Sequence, residues 1–203
     1  MNYFITAIGT DSGKTLVSAI LCEAFSADYW KPVQSGLPRD TDTVRELISN
    51  TRTVFHPEQY LLKTPVSPHA AARIDGVQIT LDAFSIPVTT NSLIVEGAGG
   101  CMVPLNDNDL VIDLIVRLGM PVILVSNHYL GSINHTLLTV EALEKRNVQI
   151  KGIIFNGETN PETEGIILSR TKKQCLLRIA KESHINRDVV MKYAAILRHQ
   201  RNE

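Results

Sequence analysis

A nine-residue stretch, Ala7-Ile8-Gly9-Thr10-Asp11-Ser12-Gly13-Lys14-Thr15, constrains this chain more than any other part of it. The apolar run Tyr3-Phe4-Ile5-Thr6-Ala7-Ile8 leads in, and the helix-like segment Leu16-Val17-Ser18-Ala19-Ile20-Leu21 leads out. A strand, a glycine-containing loop, Lys-Thr and then a helix is the layout of a phosphate-binding loop. Glycines let the backbone curl until several N–H groups face one anion, and the following helix N-terminus adds positive potential. In this reading Asp11, Ser12 and Gly13 cradle a nucleotide, Lys14 neutralises phosphate oxygens and the Thr15 hydroxyl holds Mg²⁺. One position departs from the usual spacing: the loop's first glycine would stand at Ile8.

The rest of the chain is the right material for an α/β enzyme. At 203 residues it can bury a substantial core as one domain, 1–203. Twenty Lys and Arg against 21 Asp and Glu leave a formal charge of −1. That balance gives no electrostatic footprint for nucleic acid or an anionic membrane, and neither is expected as a partner. The apolar runs are far shorter than a membrane span. Cys22, Cys101 and Cys175 are widely spaced, as in a reducing compartment, and the opening residues read as a strand rather than a leader. A cytoplasmic protein is therefore expected. The six histidines show no metal-ligand spacing.

Strand-like runs fall at 2–8, 28–32, 92–96, 121–126 and 150–155, with a weaker one at 174–179. Helix-like segments fall at 14–26, 42–50, 68–74, 109–118, 132–146, 161–171 and 186–199, and residues 51–66 and 75–91 read as irregular. Runs such as Pro121-Val122-Ile123-Leu124-Val125-Ser126 suit strands buried on both faces. The alternation predicts a three-layer fold, a mostly parallel sheet with helices on both faces. Ligands of such sheets gather at the carboxyl ends of the strands. Those ends carry Lys31-Pro32-Val33-Gln34-Ser35-Gly36, then Glu96-Gly97-Ala98-Gly99-Gly100, then the polar stretch 126–135, then Asn156-Gly157.

With these segments in view, the chain resembles the dethiobiotin synthetases. The resemblance rests on the loop at 7–15, Lys31 to Gly36, Ser67-Pro68-His69, Val95 to Gly100 and Leu130-Gly131-Ser132-Ile133-Asn134-His135, in order and spacing over residues 1–157. It implies an ATP- and Mg²⁺-dependent ligase that joins CO₂ to 7,8-diaminononanoate through a carbamate and a carbamic-phosphoric anhydride. It assigns Lys31 to catalysis between carbamate and γ-phosphate, and Ser35 and Thr10 to the substrate's amino end. Thr15, Asp42 and Glu96 would hold Mg²⁺, with Asp40 as a second candidate beside Asp42. A carboxylate such as Glu96 at the end of an apolar strand is costly unless paired or metal-bound. Gly97, Ala98 and Gly99 would pass close to the nucleotide, and Asn156 with Gly157 would meet adenine. Gly131, Ser132, Ile133 and Asn134, at a helix start with Ser132 as its cap, would bind the substrate carboxylate across a homodimer interface.

The sequence departs from the family in three places. Asp11 stands where Glu is common, Ala7 aligns with the first loop glycine, and Leu177-Arg178-Ile179-Ala180-Lys181 lacks the Gly and Pro of the adenine-side turn. ATP remains the expected nucleotide. The alternatives are a partitioning-type switch ATPase and another ATP-dependent amide or cyclo-ligase on the same fold. A nucleotide-binding pseudoenzyme is the less favoured reading, because Lys14, Thr15, Lys31 and Glu96 are all present.

Overall fold

A computed structural model describes residues 2–202. Seven strands form one sheet, ordered β4-β2-β6-β1-β7-β8-β9. They are β1 Asn2–Ala7, β2 Asp28–Trp30, β4 Phe55–His56, β6 Leu93–Gly100, β7 Val122–Asn127, β8 Ile150–Asn156 and β9 Cys175–Ile179. Every pairing in this sheet is parallel. β3 Val33–Ser35 and β5 Tyr60–Leu62 form a separate parallel pair. The run expected as one strand at 28–32 is thus split, with Lys31 and Pro32 between β2 and β3. The irregular stretch 51–66 contributes two short strands.

The helices are α1 Lys14–Phe25, α2 Asp40–Leu47, α3 Pro68–Asp75, α4 Val111–Leu118, α5 Ser132–Lys145, α6 Pro161–Thr171 and α7 Arg187–Asn202. α2 begins two residues earlier than its apolar pattern suggests and stops at Leu47. A single 3₁₀ turn, Leu81–Ala83, lies within 75–91.

Alternation along each strand divides the core in two. Ile5, Tyr29, Ile94, Ile123 and Ile154 face one layer, with Val17 and Ile20 of α1 and Val190 and Tyr193 of α7. Phe4, Trp30, Val95, Leu124 and Phe155 face the other, with Ile112 and Ile115 of α4 and Val140 and Leu143 of α5. Full burial of each large apolar side chain contributes about 1.5–3 kcal/mol. This framework holds the carboxyl ends of β1, β2 and β6 side by side, and β1 sits between β6 and β7, where the chain order of the sheet reverses.

Candidate functional site

The turn after β1 wraps back on itself. Ser12 Oγ donates to Gly9 O at 3.1 Å and Lys14 Nζ donates to the same carbonyl at 3.1 Å. The left-handed positions of the loop are Asp11 (φ 56°) and Gly13 (φ 96°). Ile8 is not among them, so its position does not call for glycine's left-handed backbone: Ile8 N continues the ladder to Val125 O at 3.1 Å. Gly13 is required on two counts, its positive φ and its neighbour. A Cβ there would lie 2.3 Å from Asn156 Nδ2.

That neighbour changes the reading of Asn156. Its Nδ2 donates to Ser12 O at 3.0 Å, so the end of β8 buttresses the phosphate loop directly. Gly157 N in turn donates to Ile179 O at 2.9 Å, which ties this end of β8 to β9.

Glu96 is completely buried at the centre of the site. Its Oε1 accepts from Thr15 Oγ1 at 3.0 Å and from Lys31 Nζ at 2.9 Å, and its Oε2 accepts from Tyr29 O–H at 3.0 Å. Lys31 is 4 % exposed. Besides Glu96 it reaches Asp40 Oδ2 at 2.6 Å and Gly97 O at 3.1 Å. Burial alone would lower its pKa, but Glu96 and Asp40 outweigh burial and raise it above the ordinary lysine value. Lys31 is therefore a fixed, permanent cation. Lys14 differs: burial, and then the nearby Lys31, bring it down to about 8.

Asp40, not Asp42, completes this cluster. Asp42 is engaged by Arg39 through two hydrogen bonds of 2.8 Å and by Arg45 Nη1 at 2.8 Å, on the outer side of α2. Of the expected set Thr15, Asp42 and Glu96, Thr15 and Glu96 meet here with Asp40, the second candidate, while Asp42 is turned to Arg39 and Arg45. Asp40 is held in place by Gln34, whose Oε1 accepts from Asp40 N at 3.0 Å.

Thr10, Asp11, Gly13, Lys14, Thr15, Lys31, Asp40, Glu96 and Gly99 line one cleft of about 380 Å³. Gly97 and Ala98 continue β6 rather than forming a turn. Gly97 is glycine because a Cβ would lie 2.7 Å from the Phe4 ring. Ser35 lies on β3 outside the cleft's lining, and its Oγ is enclosed without a hydrogen-bond partner.

Gly131, Ser132, Ile133 and Asn134 are not brought to this cleft. With residues of the β8–α6 connection they line a separate cavity of about 800 Å³. The cap of α5 is Gly131 (φ 108°), and Ser132 is already helical, with no side-chain cap bond. Leu130 beside them is fully exposed.

Sequence reasoning gave Tyr29 no role. Its signal was periodicity: Tyr29 stands two residues before Lys31 and pairs with Ile94, which shares one face of the neighbouring strand with Glu96.

A phosphate loop after the central strand, with a buried acid on the adjacent parallel strand, makes this a P-loop nucleotide-binding protein of the α/β class. The septum site-determining protein MinD of Pyrococcus horikoshii, solved with Mg-ADP, shares the fold. It matches with a TM-score of 0.60 at 14% identity, covering 98% of this chain and 90% of that one. A ParA family ATPase from Chlorobium tepidum matches with a TM-score of 0.54 at 12% identity, over 100% of this chain and 93% of that one. A family model described as an AAA domain covers residues 1–188.

Sequence relatives are more specific. The chain is 58% identical over 197 residues to the ATP-dependent dethiobiotin synthetase of Cytophaga hutchinsonii, covering 96% of each chain. It is 49% identical over 195 residues to that of Christiangramia forsetii, covering 95% of this chain and 94% of that one. It is 46% identical over 179 residues to that of Brucella ovis, covering 85% and 84%. The chain belongs to the ATP-dependent dethiobiotin synthetase family.

Proposed function

We propose that this protein, as one domain over residues 1–203, forms dethiobiotin from 7,8-diaminononanoate, CO₂ and ATP with Mg²⁺, releasing ADP and phosphate. One observation carries the reading. In a chain 58% identical to a curated dethiobiotin synthetase, the P-loop residues Lys14 and Thr15, the buried Lys31 and Glu96 and the half-buried Asp40 line a single cleft.

The donor set fits a magnesium ion: Thr15, Asp40 and Glu96 offer hard oxygens beside a phosphate loop, the combination Mg²⁺ takes. When bound, Mg²⁺ would neutralise charge on the nucleotide's terminal phosphates. Asp11, Ser12, Gly13 and Lys14 hold those phosphates. Gly97, Ala98 and Gly99 run alongside the nucleotide. Asn156 serves it through the loop it braces, with Gly157 next to the base.

The chemistry follows from a fixed cation in the cleft. One substrate amine adds to CO₂ and loses a proton, giving a carbamate. A carbamate oxygen attacks the γ-phosphorus as the bond to the β,γ-bridging oxygen breaks, releasing ADP. The second amine attacks the carbonyl carbon of the mixed anhydride, loses a proton, expels phosphate and closes the ring. Lys31 stays charged throughout and stabilises the negative charge that accumulates between carbamate and γ-phosphate. Thr10, which lines the cleft, faces the substrate's amino end. Gly131, Ser132, Ile133 and Asn134 receive the substrate carboxylate of the partner subunit in a homodimer, which sedimentation at micromolar concentration would reveal. That this helix start lines a cavity other than the protomer's own phosphate cleft supports this division, as do exposed Leu130 and Leu138. A cytoplasmic site of action fits the free cysteines.

The test is incorporation of ¹³C-bicarbonate. With the diamine and MgATP, the account expects a product of dethiobiotin mass carrying one label. An unlabelled or absent product would refute it.

A further inference from the structure

Glu96 could turn about its terminal torsion were its two oxygens not held separately. Thr15 and Lys31 both act on Oε1, whereas Oε2 has Tyr29 O–H as its hydrogen-bond partner. Tyr29 lies in β2, opposite Ile94 in the parallel ladder to β6. One step of two residues along β6 reaches Glu96, the diagonal neighbour that a long aromatic side chain can touch. The ring is completely buried and packs against Phe55 at a centroid distance of 6.0 Å, which fixes where the hydroxyl points.

We infer that Tyr29 is a positioning residue that locks the orientation of the Glu96 carboxylate, so that Oε1 is presented to Thr15 and the cleft. This rests on the magnesium–nucleotide reading above and deepens it. Tyr29 is not itself among the residues that line the cleft, and its hydroxyl meets that lining at Glu96. Its contribution passes through Glu96 alone. Groups that orient a metal-binding carboxylate in this way typically change metal affinity by about 10–100-fold when removed.

The experiment measures ADP affinity by calorimetry in EDTA and in Mg²⁺, on wild type and on Tyr29→Phe, and takes the ratio for each protein. Each ratio is internal to one protein, so a general loss of stability cancels. Wild type is expected to show tighter binding with Mg²⁺. In Tyr29→Phe that gain should shrink by about tenfold, while affinity in EDTA stays within twofold of wild type. Tyr29→His, which returns a donor to the ring, should recover part of the gain. An unchanged ratio in Tyr29→Phe, or a His variant no better than Phe, would overturn the positioning role. A wild-type ratio of one would overturn the magnesium reading itself, and the inference with it.

Discussion

Lys31 Nζ lies 2.9 Å from Glu96 Oε1, and neither side chain is more than 5 % exposed. Breaking a buried pair from one side costs about 3–5 kcal/mol, because the remaining charge is stranded. Lys31→Gln keeps a donor of similar length and should lose less stability than that while losing the charge. The expectation is a fall in kcat of about 10²–10³-fold, the usual scale for one electrostatic donor, with ADP affinity within a few-fold of wild type. Calorimetry and steady-state turnover measured together check it. Retention of most of the rate would make Lys31 a structural residue only.

Asp40 and Asp42 make a paired test. Asp40 joins Lys31 in the cleft, whereas Asp42 is taken up by Arg39 and Arg45. Asp40→Asn should weaken the Mg²⁺-dependent part of nucleotide binding by tenfold or more, within the range for metal-site groups. Asp42→Asn should leave that part unchanged. Titrating Mg²⁺ at fixed ADP, read by the rise in melting temperature, separates the two. The reverse order of effects would restore Asp42 to the metal set.

Nucleotide binding should weaken with alkali. Burial lowers the pKa of Lys14 to about 8, so in the free protein it is mostly charged below pH 8 and mostly neutral above. Bound phosphates favour the charged form, so binding takes up a proton once the free lysine has lost it. ADP affinity should be level below about pH 7.5 and fall above pH 8, by up to tenfold per unit. Stability runs the opposite way: a lysine whose folded pKa is depressed penalises folding at low pH, and the penalty fades between pH 8 and the unfolded value of about 10.4. A Kd for ADP that stays level to pH 9.5 would contradict the assignment of Lys14.

Asn156 holds the loop through Ser12 O. Asn156→Ala removes that hydrogen bond, worth about 0.5–1.5 kcal/mol, from the phosphate end of the site. ADP and GDP should therefore both bind several-fold more weakly. A loss confined to ADP would move the residue's role wholly to the base.

Much of this was legible in the sequence. Strand 2–8, the loop and α1 were, because Gly-Lys-Thr between an apolar run and a helix has few other uses. Glu96 was conspicuous because an acid ending an apolar strand needs partners, and it has three. Asp40 and Asp42 could not be told apart in the same way. Residues two apart on a helix point roughly 200° away from each other, so one faces Lys31 and the other cannot. The choice turns on where α2 starts, which Arg39 and Gln34 decide through tertiary contacts. β4 and β5 are two and three residues long and carry no readable period. The glycines after Glu96 read as a turn, yet β6 runs on to Gly100, with Gly97 packed against Phe4 of the neighbouring strand.

The most direct test of the account is phosphate release from MgATP, followed with the diamine and bicarbonate each present or withheld. The account predicts release only when both are present, with one phosphate for each dethiobiotin formed. Equal release without the diamine would contradict it and favour a switch ATPase on the same fold.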